Sequence, residues 1–98
     1  MRRGTTPTLT FTTDMDLTQF SRVILTLKGS NQQIDLEAER LSVASDSLSC
    51  TLTQEETLRF KGSVEAQVRA ISSEGTAVAS DICKLDFKRI LKEGVIDV

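Results

Sequence analysis

The chain contains no histidine, no tryptophan and no tyrosine among its 98 residues. Without histidine there can be no Ser-His-Asp or Cys-His catalytic couple, no histidine metal ligand and no imidazole that titrates near neutral pH. Four phenylalanines are the whole aromatic content, which argues against the aromatic platforms that bind sugars or single-stranded nucleic acid. The composition therefore indicates a protein that is not an enzyme.

Cysteine is also scarce, and long apolar runs are missing. No stretch approaches the roughly 20 apolar residues that span a membrane, and the start of the chain has no apolar signal segment. We therefore expect synthesis in the cytoplasm with reduced thiols and no membrane partner. Cys50 and Cys83 both fall on the inward side of predicted strands, which predicts buried, unreactive thiols; a mutual disulfide under oxidising conditions is the alternative.

A basic excess is absent as well. The 12 basic and 14 acidic side chains are interspersed and leave a formal net charge of -2. The basic clusters, Arg2-Arg3 and Lys84/Lys88-Arg89, are small and scattered, whereas a phosphate-binding surface normally needs a basic stripe. The sequence therefore predicts no nucleic-acid partner.

The acidic residues suggest caps, not a catalytic or metal site. Asp14 and Asp16 lack the further oxygen ligands and the glycine of a calcium loop, so we expect Asp16 to cap a single helical turn. Thr53 and Glu56 have the spacing of a capping box, which predicts a short helix and argues against Glu55 and Glu56 as a catalytic pair. No catalytic, cofactor-binding or metal-binding residue is predicted.

What the chain does have is alternation of apolar and polar residues with a period of two, typical of half-buried strands. It is clearest in Ile34, Leu36 and Ala38, which are predicted to form a hairpin with the apolar strand before Gly29. The inward phase slips in the last strand, where Val78 and Ile82 lie on even positions and Cys83, Leu85 and Phe87 on odd ones. This slip predicts a bulge or a sheet crossover near residues 80–83.

Six or seven such strands separated by turn signals indicate an all-β protein, an antiparallel β-sandwich with one short helical turn near 54–60. Ninety-eight residues correspond to a single domain. We expect that domain to cover residues 1–98, with a short N-terminal arm (1–6) and an apolar C-terminal tail (90–98).

Three stretches resemble a known family. They are the start MRRGTTPTLTF, the central LTQEETLRFKGSVEAQVRAISSEGTAVASDI and the ending KRILKEGVI. Within the central stretch the resemblance rests on Leu52 to Phe60, Val64 to Arg69 and Ala79 to Ile82. These are similar to small tail- and baseplate-associated structural proteins encoded by phages and prophages of Gram-positive bacteria. The strand order is also similar to that of the immunoglobulin-like N-terminal domain of phage upper-baseplate proteins.

The resemblance implies an immunoglobulin-like sandwich that serves as a non-catalytic structural or connecting subunit of a virion tail. Its partners would be other tail or baseplate proteins, with a homo-oligomer as a further option, and no cofactor is implied. The protein would lie in the host cytoplasm when synthesised and in the virion tail if assembled. A freestanding β-sandwich binding module or a small regulator of unknown ligand is the alternative.

The two ends of the chain are the predicted contact segments, because virion parts associate through arms, strand edges and apolar patches. The expected partner contacts are Arg2, Arg3, Thr5, Ile90, Leu91, Val95 and Ile96. A competing interpretation of the tail is that it covers the core of its own domain.

Overall fold

Strands dominate the fold, which a computed structural model describes for residues 1–14 and 16–98. The described strands are β1 (Thr8–Thr12), β2 (Arg22–Lys28), β3 (Gln33–Glu37), β4 (Ser42–Val43), β5 (Ser47–Thr51), β6 (Gly62–Ile71), β7 (Ala77–Ala79) and β8 (Cys83–Phe87). Helix α1 spans Gln54–Leu58, and short 3₁₀ helices span Leu17–Gln19 and Ala38–Arg40. The antiparallel two-sheet sandwich predicted from the sequence is confirmed.

The strand order matches part of an immunoglobulin-type sandwich, without strands A and C″ among the described residues. One sheet has the order β1-β5-β4, and the other has β3-β2-β6, with both β7 and β8 pairing with β6. In chain order these strands occupy the immunoglobulin positions B, C, C′, D, E, F and G, with β7 and β8 sharing position G. The eighth strand, one more than the sequence predicts, arises because the last predicted strand is split into β7 and β8.

Alternation places the apolar side chains between the sheets. In the β2–β3 hairpin, Leu25 faces Leu36 and Leu27 faces Ile34, and all four are buried. Thr26 on the outer face donates to the Asp35 carboxylate at 2.7 Å. The hairpin predicted from its period-two pattern is therefore present, with one apolar and one polar face as expected for a sheet that is solvated on one side. The inward position predicted for Ala38 is wrong, because β3 ends at Glu37 and Ala38 is exposed in the 3₁₀ helix that follows.

Helix α1 closes one end of the core. The Thr53 hydroxyl accepts from the Glu56 N–H at 3.1 Å, while the Glu56 carboxylate accepts from the Thr53 N–H at 2.8 Å. The predicted capping box is confirmed, and it starts the helix directly after β5. Phe60 follows the helix and packs on Phe87 of β8 with ring centroids 5.3 Å apart. Both rings are buried, and such a pair adds about 0.5–1.5 kcal/mol beyond its burial.

The predicted bulge separates β7 from β8. Arg69 of β6 faces Ala79, and Ala66 faces Cys83, so residues 80–82 stand opposite only 67–68. The extra residue pushes Ile82 outward, and its side chain is 55 % exposed. Cys83 is also exposed. The burial predicted for Ile82 and Cys83 is therefore wrong. Ile82 lies in the bulge, which interrupts the alternation. Cys83 stands opposite the buried Ala66, on the inward face, but is exposed because β8 is an edge strand.

Candidate functional site

The segment before β1 lies against the end of β8. The Arg3 N–H donates to the Lys88 carbonyl at 3.0 Å, and the Lys88 N–H donates to the Met1 carbonyl at 2.7 Å. Arg2 and Lys88 thus form a parallel bridge. The first residues of the predicted N-terminal arm (1–6) thus extend the second sheet.

Arg3 occupies an internal position. Its guanidinium donates to the carbonyls of Phe60 and Leu58, each at 2.7 Å, and forms an ion pair with Glu93. The residue is only 6 % exposed, and a guanidinium can serve several acceptors at once because its donors are arranged as a planar fork. Arg3 therefore fastens the start of the chain to the end of α1, although the sequence suggested it as a partner contact.

Thr5 is exposed, but it too is held by the fold. Its hydroxyl donates to the Arg2 carbonyl at 2.7 Å, and its own carbonyl accepts from the Thr57 hydroxyl at 2.9 Å. Thr57 is fully buried in α1. The side chain of Thr5 consequently lies at the surface on a backbone anchored to the helix.

Ile90 and Leu91 differ in their surroundings. Ile90 is half-buried beside Gly4 and Leu58. A Cβ added at Gly4 would lie 2.9 Å from the Ile90 Cδ1, and Gly4 has a φ of +74°; both favour glycine there. Leu91 is 92 % exposed. The competing interpretation, in which the tail covers its own core, thus fits Ile90 and does not fit Leu91.

The Ile96 backbone lies against the start of α1. The Gln54 side chain accepts from the Ile96 N–H at 2.9 Å and donates to the Ile96 carbonyl at 3.0 Å. The Val95 and Ile96 side chains are nevertheless exposed. The backbone of the tail is thus held in place while its apolar side chains remain available.

Basic side chains gather between the two ends of the chain. A shallow groove of about 530 Å³ is lined by Arg2, Arg3, Lys61, Lys88, Arg89 and the single carboxylate Glu93. A neighbouring depression is lined by Arg2, Arg89, Ile90 and Leu91. Because the two share Arg2 and Arg89, they form one continuous surface. We call it the terminal surface: Arg2, Lys61, Lys88, Arg89, Ile90 and Leu91.

The terminal surface corrects the interpretation of the basic residues as scattered. Arg2 and Arg89 are 87 residues apart in sequence, yet the Arg2 guanidinium donates to the Arg89 carbonyl at 3.1 Å. Lys61 was not among the predicted contact residues, and no local pattern marks it. Lys61 reaches the surface at this point because its neighbour Phe60 is buried in the core and its neighbour Gly62 pairs with Phe87 of β8.

The thiols and carboxylates occupy separate places. Cys50 is buried, and burial raises its thiol pKa, as expected for an unreactive side chain. Cys50 and Cys83 are both free. Asp16 caps the 3₁₀ helix, as predicted, and accepts from the Thr18 hydroxyl at 2.6 Å. Within residues 1–14 and 16–98, no three cysteine or carboxylate side chains are grouped so that they could hold a metal ion.

The fold defines the chain as a two-sheet antiparallel sandwich with a surface built from residues near both of its ends. None of the helices within the described ranges is long and apolar enough to cross a bilayer. Comparison of the chain with protein-family models, with curated proteins and with solved structures finds no match.

Proposed function

We propose that the protein is a non-catalytic structural or connecting subunit of a phage or prophage tail or baseplate that acts through protein–protein contacts at the terminal surface. The resemblance of the start, the centre and the end of the sequence to such proteins supports the class. The terminal surface supports the mode of action, since it joins residues from both ends of the chain in one place.

The observation that carries the proposal is the exposure of Leu91 next to Arg2 and Arg89, on a surface that continues to the exposed Lys61 and Lys88. A large apolar side chain within a polar rim is the usual composition of a contact surface. The basic rim lies on an acidic protein, so the charge of this region differs from that of the chain as a whole. A partner with an apolar pocket and acidic flanks would complement it.

The test is deletion of the gene from the genome that encodes it, followed by electron microscopy of induced particles. We expect truncated or absent tails, restored by the wild-type gene. A Leu91→Asp/Arg89→Glu double variant should fail to restore them, because it inverts both the apolarity and the charge of the terminal surface. A Val43→Asp/Lys28→Glu variant makes the same kinds of change at exposed residues elsewhere and should restore tails as the wild type does.

Complete, infectious particles from the deletion strain would overturn the proposal and favour the freestanding binding module or regulator. Rescue by the Leu91→Asp/Arg89→Glu variant, once its native far-ultraviolet spectrum is established, would overturn the role given to the terminal surface. Flanking genes that encode no tail or baseplate proteins would also contradict the proposed class.

A further inference from the structure

One edge of the first sheet has its backbone groups unpaired. The Leu52 N–H donates to the Pro7 carbonyl at 2.9 Å, and the Thr13 N–H donates to the Asp46 carbonyl at 2.8 Å. These two bonds show which residues of β1 form backbone hydrogen bonds with β5. In this antiparallel pair they are the odd-numbered residues. The N–H and C=O groups of Thr8, Thr10 and Thr12 therefore point away from β5, where none of the described strands is paired.

The other sheet edges carry features that discourage pairing, and β1 does not. Strand β3 has Asp35 and Glu37 along its edge, and β4 is only two residues long. The edge formed by β7 and β8 is broken by the bulge, and its far end is covered by the Arg2 bridge. Charged residues, short strands and bulges are the usual protections of an edge. Strand β1, with the sequence TLTFT, has no charge, no proline and no bulge.

The exposed edge of β1 is complementary to itself. An antiparallel pair of β1 strands centred on Thr10 places Thr10 opposite Thr10 and Thr8 opposite Thr12 of the other copy. Thr8, Thr10 and Thr12 then all lie in hydrogen-bonded pairs, because the backbone groups of the even-numbered residues face the partner strand in both copies. The same register sets Asp14 opposite Thr6, so no two like charges meet across the pair.

We propose that a second copy of this chain pairs through β1 across a two-fold axis at Thr10, joining two three-stranded sheets into one six-stranded sheet. The cleft beside β1, about 810 Å³ in volume, is walled by Phe11 and by Ile82 of the bulge. Ile82 is an exposed apolar side chain next to the new strand, and the partner strand would shield it. This inference does not rest on the proposed phage function, since it uses the β1 edge and not the terminal surface.

Sedimentation velocity on the purified chain tests the proposal. A contact of five residues per copy buries little area, so we expect a weak dimer that dissociates on dilution. Thr10→Lys and Thr10→Glu should each raise the dissociation constant at least about tenfold, because like charges meet at the axis. An equimolar mixture of the two variants should restore dimerisation as a heterodimer.

A second pair of variants tests the register. Thr8→Lys/Thr12→Glu places opposite charges face to face across the axis and should still dimerise, whereas Thr8→Lys/Thr12→Lys should not. Ser63→Lys and Ser63→Glu, at an exposed position on β6 of the other sheet, serve as matched controls and should dimerise like the wild type. Far-ultraviolet spectra and thermal unfolding establish that each variant is folded.

A wild-type chain that stays monomeric at every concentration would overturn the proposal. Dimers that persist in both folded Thr10 variants would overturn it too, because they would show that another surface is used. Failure of the Lys and Glu variants to associate when mixed would rule out the two-fold pairing. None of these outcomes bears on the terminal surface, so the two proposals fail separately.

Discussion

At the scale of single residues, the Glu56 side chain makes one interaction that the sequence predicts and one that it does not. Its carboxylate closes the capping box on Thr53, and it also pairs with both terminal nitrogens of Arg40, at 2.7 and 3.0 Å. The ion pair with Arg40, followed by the capping bonds, lowers the pKa of Glu56. The capping box could be predicted from a four-residue pattern. Arg40 could not, because it comes from the 3₁₀ helix between β3 and β4.

The Glu56 interaction predicts a dependence of stability on pH. The pKa of Glu56 is lower in the folded state than in the unfolded state. The charged carboxylate therefore contributes its full stabilisation above the ordinary glutamate pKa of about 4.3, and this stabilisation is lost as pH falls through the lower pKa of the folded state. Glu56→Gln should therefore lower the free energy of unfolding at pH 7 by about 1 kcal/mol. At low pH, where both side chains are neutral, the difference should shrink.

Urea unfolding at a series of pH values measures the Glu56 effect. Glu39→Gln, an exposed carboxylate in the same β3–β4 connection, is the matched control and should change stability little at any pH. A Glu56→Gln deficit that stays constant from neutral to strongly acidic pH would contradict the electrostatic explanation.

At the scale of elements, the bulge between β7 and β8 is held by Ser80. The Ser80 N–H donates to the Val68 carbonyl at 2.8 Å, and the Ser80 hydroxyl accepts from the Val68 N–H at 3.0 Å. The same hydroxyl donates to the Asp81 carbonyl at 2.9 Å. A side chain thus replaces the backbone acceptor that an unbroken strand would have supplied to β6.

We expect Ser80→Ala to destabilise the protein by about 1–2 kcal/mol, because the Val68 N–H would lose its acceptor in a partly buried position. Amide hydrogen exchange at Val68 should also accelerate relative to the β2–β3 hairpin. Ser73→Ala, at an exposed position in the turn before β7, is the control. Unchanged unfolding and unchanged exchange in Ser80→Ala would show that the hydroxyl is not needed to hold the bulge.

At the scale of the whole molecule, Arg3 joins three parts of the chain. It contacts Leu58 and Phe60 at the end of α1 and Glu93 in the tail, while its backbone pairs with Lys88. The terminal surface depends on this arrangement, because Arg3 brings the start of the chain between α1 and the residues that follow β8. Local sequence patterns contain no sign of it.

Arg3→Ala should cost about 2–3 kcal/mol, because two carbonyls lose a charged donor in a buried position. Arg3→Lys should restore only part of this, since one ammonium group cannot reproduce the planar fork. Glu93→Gln should cost less than about 1 kcal/mol, since Glu93 is 56 % exposed. Arg2→Ala, the exposed neighbour, is the control, and denaturant unfolding is the measurement. Equal stability of Arg3→Ala and Arg2→Ala would refute the role given to Arg3.

Local patterns in the sequence by themselves determined most of the strands, the β2–β3 hairpin, the capped helix and the sandwich, because these follow from alternation and from caps a few residues long. Only the tertiary structure decided the exposure of Ile82 and Cys83, the burial of Arg3, the union of Arg2 with Lys61 and Arg89, and the open edge of β1. Each of these depends on which strands become neighbours. Which strands become neighbours is set by pairing between distant segments of the chain, and no short sequence pattern encodes that pairing.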